Sequence, residues 1–144
     1  MPTWLRARLP FVLLALSTIA LGLTLRRSGA ALPLDVRDVL GDALWAMMLT
    51  WWVGAAAPRI SPVARAAAAL AGCWAVEASQ LYRAPTLDGW RRTTLGHLVL
   101  GSDFDARDLV SYAVGVLIAL LLELAVRHRA EGGRAGSGPA SSVS

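Results

Sequence analysis

Apolar and polar positions divide the chain into long apolar runs separated by polar breaks. The first run spans Leu9 to Leu25 and is closed by Arg26-Arg27. At about 1.5 Å per residue, a helix of that length just reaches across a bilayer core of roughly 30 Å, so Pro10 and the flanking arginines fall at the interfaces. A basic start before an apolar middle also fits a signal peptide, but the arginine pair directly behind the run argues for a retained anchor. The second run, Val39 to Ala57, places Asp42, Trp45, Leu49 and Trp52 at helical spacing, roughly on one face. Pro58-Arg59-Ile60-Ser61-Pro62 leaves room only for a tight helical hairpin.

The third run, Val63 to Tyr82, opens with alanine at every position from Ala66 to Ala69. Small residues let backbones approach closely in membranes, so this half of the helix is expected at the centre of a bundle. Arg83, Pro85 and Asp88-Gly89 then break the pattern, and a long connection runs to Arg107. Trp90, Leu95 and Leu98 make it apolar enough to rest on a membrane surface, although Arg91 falls in the apolar arc and argues against a clean amphipathic helix. A fourth run, Asp108 to Val126, carries Ser111, Tyr112 and Gly115 on the side of Asp108, with Gly115 and Ala119 forming a small-xxx-small contact. Behind Arg127-His128-Arg129 the tail, residues 127–144, is rich in Gly, Ser and Ala and is expected to be disordered.

The fold class that follows is all-α: an integral membrane four-helix bundle over residues 1–126, with helices at about 9–25, 39–57, 63–82 and 108–126 and one long extramembrane loop between the third and fourth. Composition agrees. Of 144 residues 56% are hydrophobic and 17% charged, which fits a membrane protein better than a soluble core. The net charge of +4 comes entirely from arginine. These arginines flank apolar segments, as membrane topology requires, so no nucleic-acid partner is expected. Cys73 stands alone in an apolar run, which excludes an internal disulfide and argues against a cysteine-based metal site.

Four crossings gather the start of the second helix, the end of the third and the start of the fourth at one face. Asp42, Glu77, Gln80, Tyr82, Asp108 and Tyr112 are scattered in sequence but share that depth, with Trp45 one turn from Asp42. Glu77 and Gln80, at i and i+3, lie on one helical face, and an ionisable group in an apolar run is a site by default. The same pair also fits a helix-packing hydrogen bond. Asp108, in a first helical turn, reads best as a cap; Asp42 reads as part of a pocket, because Asp38 is available to cap. Tyr82 and Tyr112 also fit interfacial anchors. Arginines divide evenly between the two sides, whereas Asp35, Asp38, Asp88, Asp103 and Asp105 fall opposite the termini and Glu131 beside them. That asymmetry favours cytoplasmic termini.

Asp103-x-Asp105-x-x-Asp108 lacks the glycine and closing glutamate of a calcium loop, since Asp108 and Val114 occupy those positions. No glycine-rich phosphate loop or nucleophilic triad is visible, and no metal or cofactor is expected.

Glu77-x-x-Gln80-x-Tyr82-x-x-Pro85, followed by Asp108-x-x-x-Tyr112-x-x-Gly115, resembles the VanZ-like superfamily of small bacterial membrane proteins. Gly41-Asp42-x-x-Trp45, Thr86-Leu87-Asp88 and Leu98-Val99-Leu100-Gly101 look closest to its YjgA-like branch, a domain of unknown function. The likeness covers about residues 10 to 126 and departs from the VanZ pattern at Tyr112, where asparagine is usual. It implies a location in the bacterial inner (plasma) membrane, a fold and a site, but no reaction. Two functions stay open on the residues: a non-catalytic envelope module that binds a lipid or membrane partner through the pocket, or an enzyme acting on a lipid-linked substrate with Glu77 as general acid or base. A small proton-coupled transporter is the third, and needs an acid nearer mid-depth. The expected partner is a membrane lipid or lipid-linked small molecule, with a homo-oligomer left open.

Overall fold

The computed structural model describes residues 1–28, 32–82, 84–94, 96 and 104–135, apart from the side chains of Ser28, Glu131 and residues 133–135. Arg83, Leu95, the 98–101 segment, Asp103 and the tail beyond residue 135, all of which enter the sequence reading, lie outside it. Among the described residues the secondary structure is helical: α1 (Thr3–Ser28), α2 (Leu34–Ala56), α3 (Pro62–Gln80), the short α4 (Pro85–Arg91) and α5 (Ala106–Ala135). The four long apolar runs thus correspond to α1, α2, α3 and α5.

The boundaries differ where local chemistry extends a helix. α2 begins at Leu34 behind Pro33, so Asp35 and Asp38 sit inside it. Ser61 caps α3 by accepting the Ala64 N–H at 3.1 Å, with Pro62 in the first turn, where its missing donor costs nothing. α5 continues through Arg127-His128-Arg129, past the expected end at Val126, and an i,i+4 Glu123–Arg127 pair at 2.8 Å supports the extra turns.

Three helical segments are long and apolar enough to cross a membrane: Thr3–Arg27, Leu34–Ala56 and Ala106–Ala130. α3 is not among them by composition. α2 rather than α3 is the hub: it packs against α1, α3 and α5, while α3 packs mainly against α2 and α5. The reason lies in the stripe Ala43, Ala46, Thr50, Gly54, which is buried, whereas Ala67, Ala68 and Ala71 of α3 are exposed. Gly54 faces the Phe11 ring so closely that an added Cβ would stand 2.5 Å from its Cδ1, and Gly115 lies against the backbone of Ala43. Both glycines let neighbouring helices approach where any side chain would hold them apart.

Burial runs opposite to that of a soluble protein. The interior is made of Ala15, Ala46, Ala69 and Ala119 together with Thr50, Arg65, Glu77 and Gln80, while Leu13, Leu16, Leu21, Leu117, Leu121 and Leu122 face outward. In water such a surface would be a large aggregating patch; against lipid it is at no disadvantage, and polar groups are driven inward. The buried Thr18 and Thr50 hydroxyls accordingly donate back to the Leu14 and Ala46 carbonyls, at 2.8 and 2.9 Å.

Candidate functional site: an acidic pole

α2 and α5 run in the same direction and α3 against both, so the start of α2, the end of α3 and the start of α5 meet at one pole. Glu77, one turn before the end of α3, is fully buried. Its Oε1 accepts the Asp105 backbone N–H at 2.7 Å and its Oε2 accepts the Tyr112 hydroxyl at 3.2 Å. Asp105 in turn caps α5, its Oδ1 accepting the Arg107 N–H at 2.9 Å. The capping role expected of Asp108 therefore belongs to Asp105, three residues earlier, and the Asp108 carboxyl is left to face Asp42.

Asp42 and Asp108 stand side by side, both partly buried, with Asp38, Asp105 and Glu77 close enough to act on one or the other electrostatically. Tyr112, which donates to Glu77, is also near enough to Asp42 and Asp108 for their charges to act on it. Among the described residues no arginine is ion-paired with Asp42, Glu77 or Asp108. Two adjacent carboxyls without a cation repel unless they share a proton or receive a donor from elsewhere.

Of the other residues read from the sequence, Trp45 packs against the Ala46, Cys73, Tyr112, Val116 cluster and Gln80 is buried at the same level. Tyr82 is 68% exposed and takes part through its backbone, whose carbonyl accepts from Arg91. Trp51 is buried while its neighbour Trp52 is outward. Among the described residues no group of three or more metal-ligating side chains occurs.

Two arginines matter more than their sequence positions suggest. Arg91, whose place in the apolar arc argues against a clean amphipathic helix, is buried at the end of α4. It donates to the Ser79 carbonyl at 2.6 Å and the Tyr82 carbonyl at 3.1 Å, and pairs with Asp88 at 2.9 Å. It thus satisfies two carbonyls at the end of α3 and holds α4 beneath them. At the far pole Arg65 is fully buried. It donates to Glu123 at 2.7 Å and to the Ile60 carbonyl at 2.7 Å, and its guanidinium carbon lies 4.5 Å from the Phe11 ring centroid. A lone charge inside an alanine run, with a second lone charge inside a leucine run, was the signal available for this pair.

No solved structure matches the chain. Residues 32–116, which include Asp42, Glu77, Asp108 and Tyr112 and stop before Glu123, match the family described as Protein of unknown function (DUF2809), and the chain belongs to that family.

Proposed function

We propose that this chain is a non-catalytic, four-span module of the bacterial inner membrane that binds a lipid or membrane partner through the polar pocket at its acidic pole. α3 supplies the fourth crossing. Its length of about 28 Å, at 1.5 Å per residue, is close to the thickness of a bilayer core. Arg65 and Glu77, which lower its hydropathy, both turn inward onto bonded partners, so neither charge meets lipid. With four crossings the termini share a side, and the gathering of the acids Asp35, Asp38, Asp88 and Asp105 at the other end favours the cytoplasm for them. The likeness to the VanZ-like superfamily and its YjgA-like branch belongs to the same reading.

The observation that carries the binding role is the Asp42–Asp108 pair, partly accessible and without a paired arginine among the described residues. Such a pair suits a head group that brings a positive charge or hydrogen-bond donors, and repels a bare phosphate. The enzymatic alternative, with Glu77 as general acid or base, has less support, because both carboxylate oxygens are already engaged and the side chain is fully buried. A transporter would place its acids nearer mid-depth than the helix ends where these stand.

Native mass spectrometry of the protein in mild detergent tests the binding role. An amine-bearing lipid should stay with the wild-type chain and leave Asp42→Asn/Asp108→Asn without loss of thermal stability. Identical lipid retention in both would overturn the reading. The topology is checked with Thr86→Cys and His128→Cys in a Cys73→Ser background, which should label from opposite sides of intact cells.

A further inference from the structure

We infer that the pole opposite the acids is a binding surface for anionic phospholipid head groups, assembled by the buried Arg65–Glu123 pair. Three separate elements converge on Arg65: Phe11 of α1 stacks on it, Ile60 of the α2–α3 turn accepts from it, and Glu123 of α5 neutralises it. Each of these contacts lies within about one helical turn of an exposed arginine. Arg8 precedes Phe11 by one turn, Arg59 adjoins Ile60, and Arg127 is bonded to Glu123 itself. Arg6 and Arg129 extend the patch along α1 and α5.

Among the described side chains the arginines of this pole outnumber its acids. Glu123 is its one acid among the described side chains, and Arg65 and Arg127 already engage it through the same oxygen, Oε1. Arg127 binds Glu123 through Nε and Nη2, which leaves Nη1 without a partner among the described residues. The exposed arginines stand at the beginning of the Thr3–Arg27 segment and the end of the Ala106–Ala130 segment, the level of the head groups for helices that cross a bilayer. Guanidinium groups fixed at that level match the phosphodiester of an anionic lipid in charge and in bidentate donor geometry. Nucleic acid would need the same charges clear of the bilayer. The outward leucines directly behind them place the patch against lipid instead. The inference does not rest on the acidic pole, and the variants that test the two are different.

The full chain, incorporated in phosphatidylcholine vesicles with a minor share of phosphatidylglycerol, is analysed by native mass spectrometry for the lipids that remain attached. Phosphatidylglycerol should be enriched about tenfold over its bulk share, the scale expected of a few interfacial arginines. Arg8→Gln/Arg59→Gln/Arg129→Gln, which leaves the Arg65–Glu123 pair intact, should reduce that enrichment to the bulk share with unchanged thermal stability. Arg26→Gln/Arg27→Gln, an exposed pair at the other end of α1, should leave it intact. Absence of enrichment in the wild-type chain overturns the proposal, as does equal loss in both variants. Displacement of the lipid by an RNA oligonucleotide at matched ionic strength would overturn it as well and give the surface to nucleic acid.

Discussion

At the terminal end of the bundle a buried arginine is neutralised, stacked and bonded on three sides, whereas at the other end three acids crowd together with no paired arginine among the described residues. Arg65 has Glu123, the Ile60 carbonyl and Phe11. Asp42 has Asp108, another carboxyl. Glu77 is the intermediate case, buried as fully as Arg65 but held by two neutral donors. A charge whose bonds are all made within the chain holds the helices together and has no capacity left for a ligand. A charge without an internal partner does the reverse. The contrast assigns scaffold work to the buried Arg65–Glu123 pair itself and ligand work to the Asp42–Asp108 pair, and each part of it can be broken separately.

The largest effect is expected at Glu123. Glu123→Leu strands a fully buried guanidinium and should cost about 3–5 kcal/mol, read as a fall in the midpoint of unfolding in detergent. The double variant Arg65→Met/Glu123→Leu removes both charges and should recover most of that loss. If it melts as early as the single variant, Arg65 is held by packing and not by charge, and the contrast between the poles fails. Next in size is Gly115→Ala, whose Cβ meets the α2 backbone at Ala43 and forces the two helices apart, at about 1–3 kcal/mol. Gly54→Ala should cost less, because the Phe11 ring it meets can turn aside and a backbone cannot.

Tyr112→Phe sharpens the intermediate case. It removes one of the two donors to Glu77 and should cost about 1–2 kcal/mol, within the range for a buried acceptor left without its donor. Glu77→Gln should be milder still, since an amide can accept from Asp105 and donate to the tyrosine oxygen. A Glu77→Gln protein that melts far below the wild type would show that the charge of Glu77 is itself structural. The smallest change is expected at Asp42→Asn, whose amide can still donate a hydrogen bond to Asp108 while one of two like charges is removed, so stability should rise by no more than a few tenths of a kcal/mol. A marked destabilisation there would move Asp42 from the ligand-facing group into the scaffold.

The chain's apolar runs by themselves determine that it is helical, that its surface suits lipid and where its four long helices are centred, though not where they end. They also determine which polar residues share a depth, because a rise of about 1.5 Å per residue converts position along a helix into height. That is why Asp42, Glu77, Asp108 and Tyr112 could be grouped although they lie on three helices. Rotation about each helix axis is a different matter. It is set by the closest approach between helices, here Gly54 against Phe11 and Gly115 against Ala43, which no single run contains. Rotation decides that Asp108 turns to Asp42 while Asp105 caps α5, and that α2 and not the alanine-rich α3 is the hub. It also decides that Arg65 meets Glu123, 58 residues away. In each run the charge reads only as a defect in an apolar stretch; it becomes an ion pair when packing turns both defects inward, out of a medium that cannot solvate them.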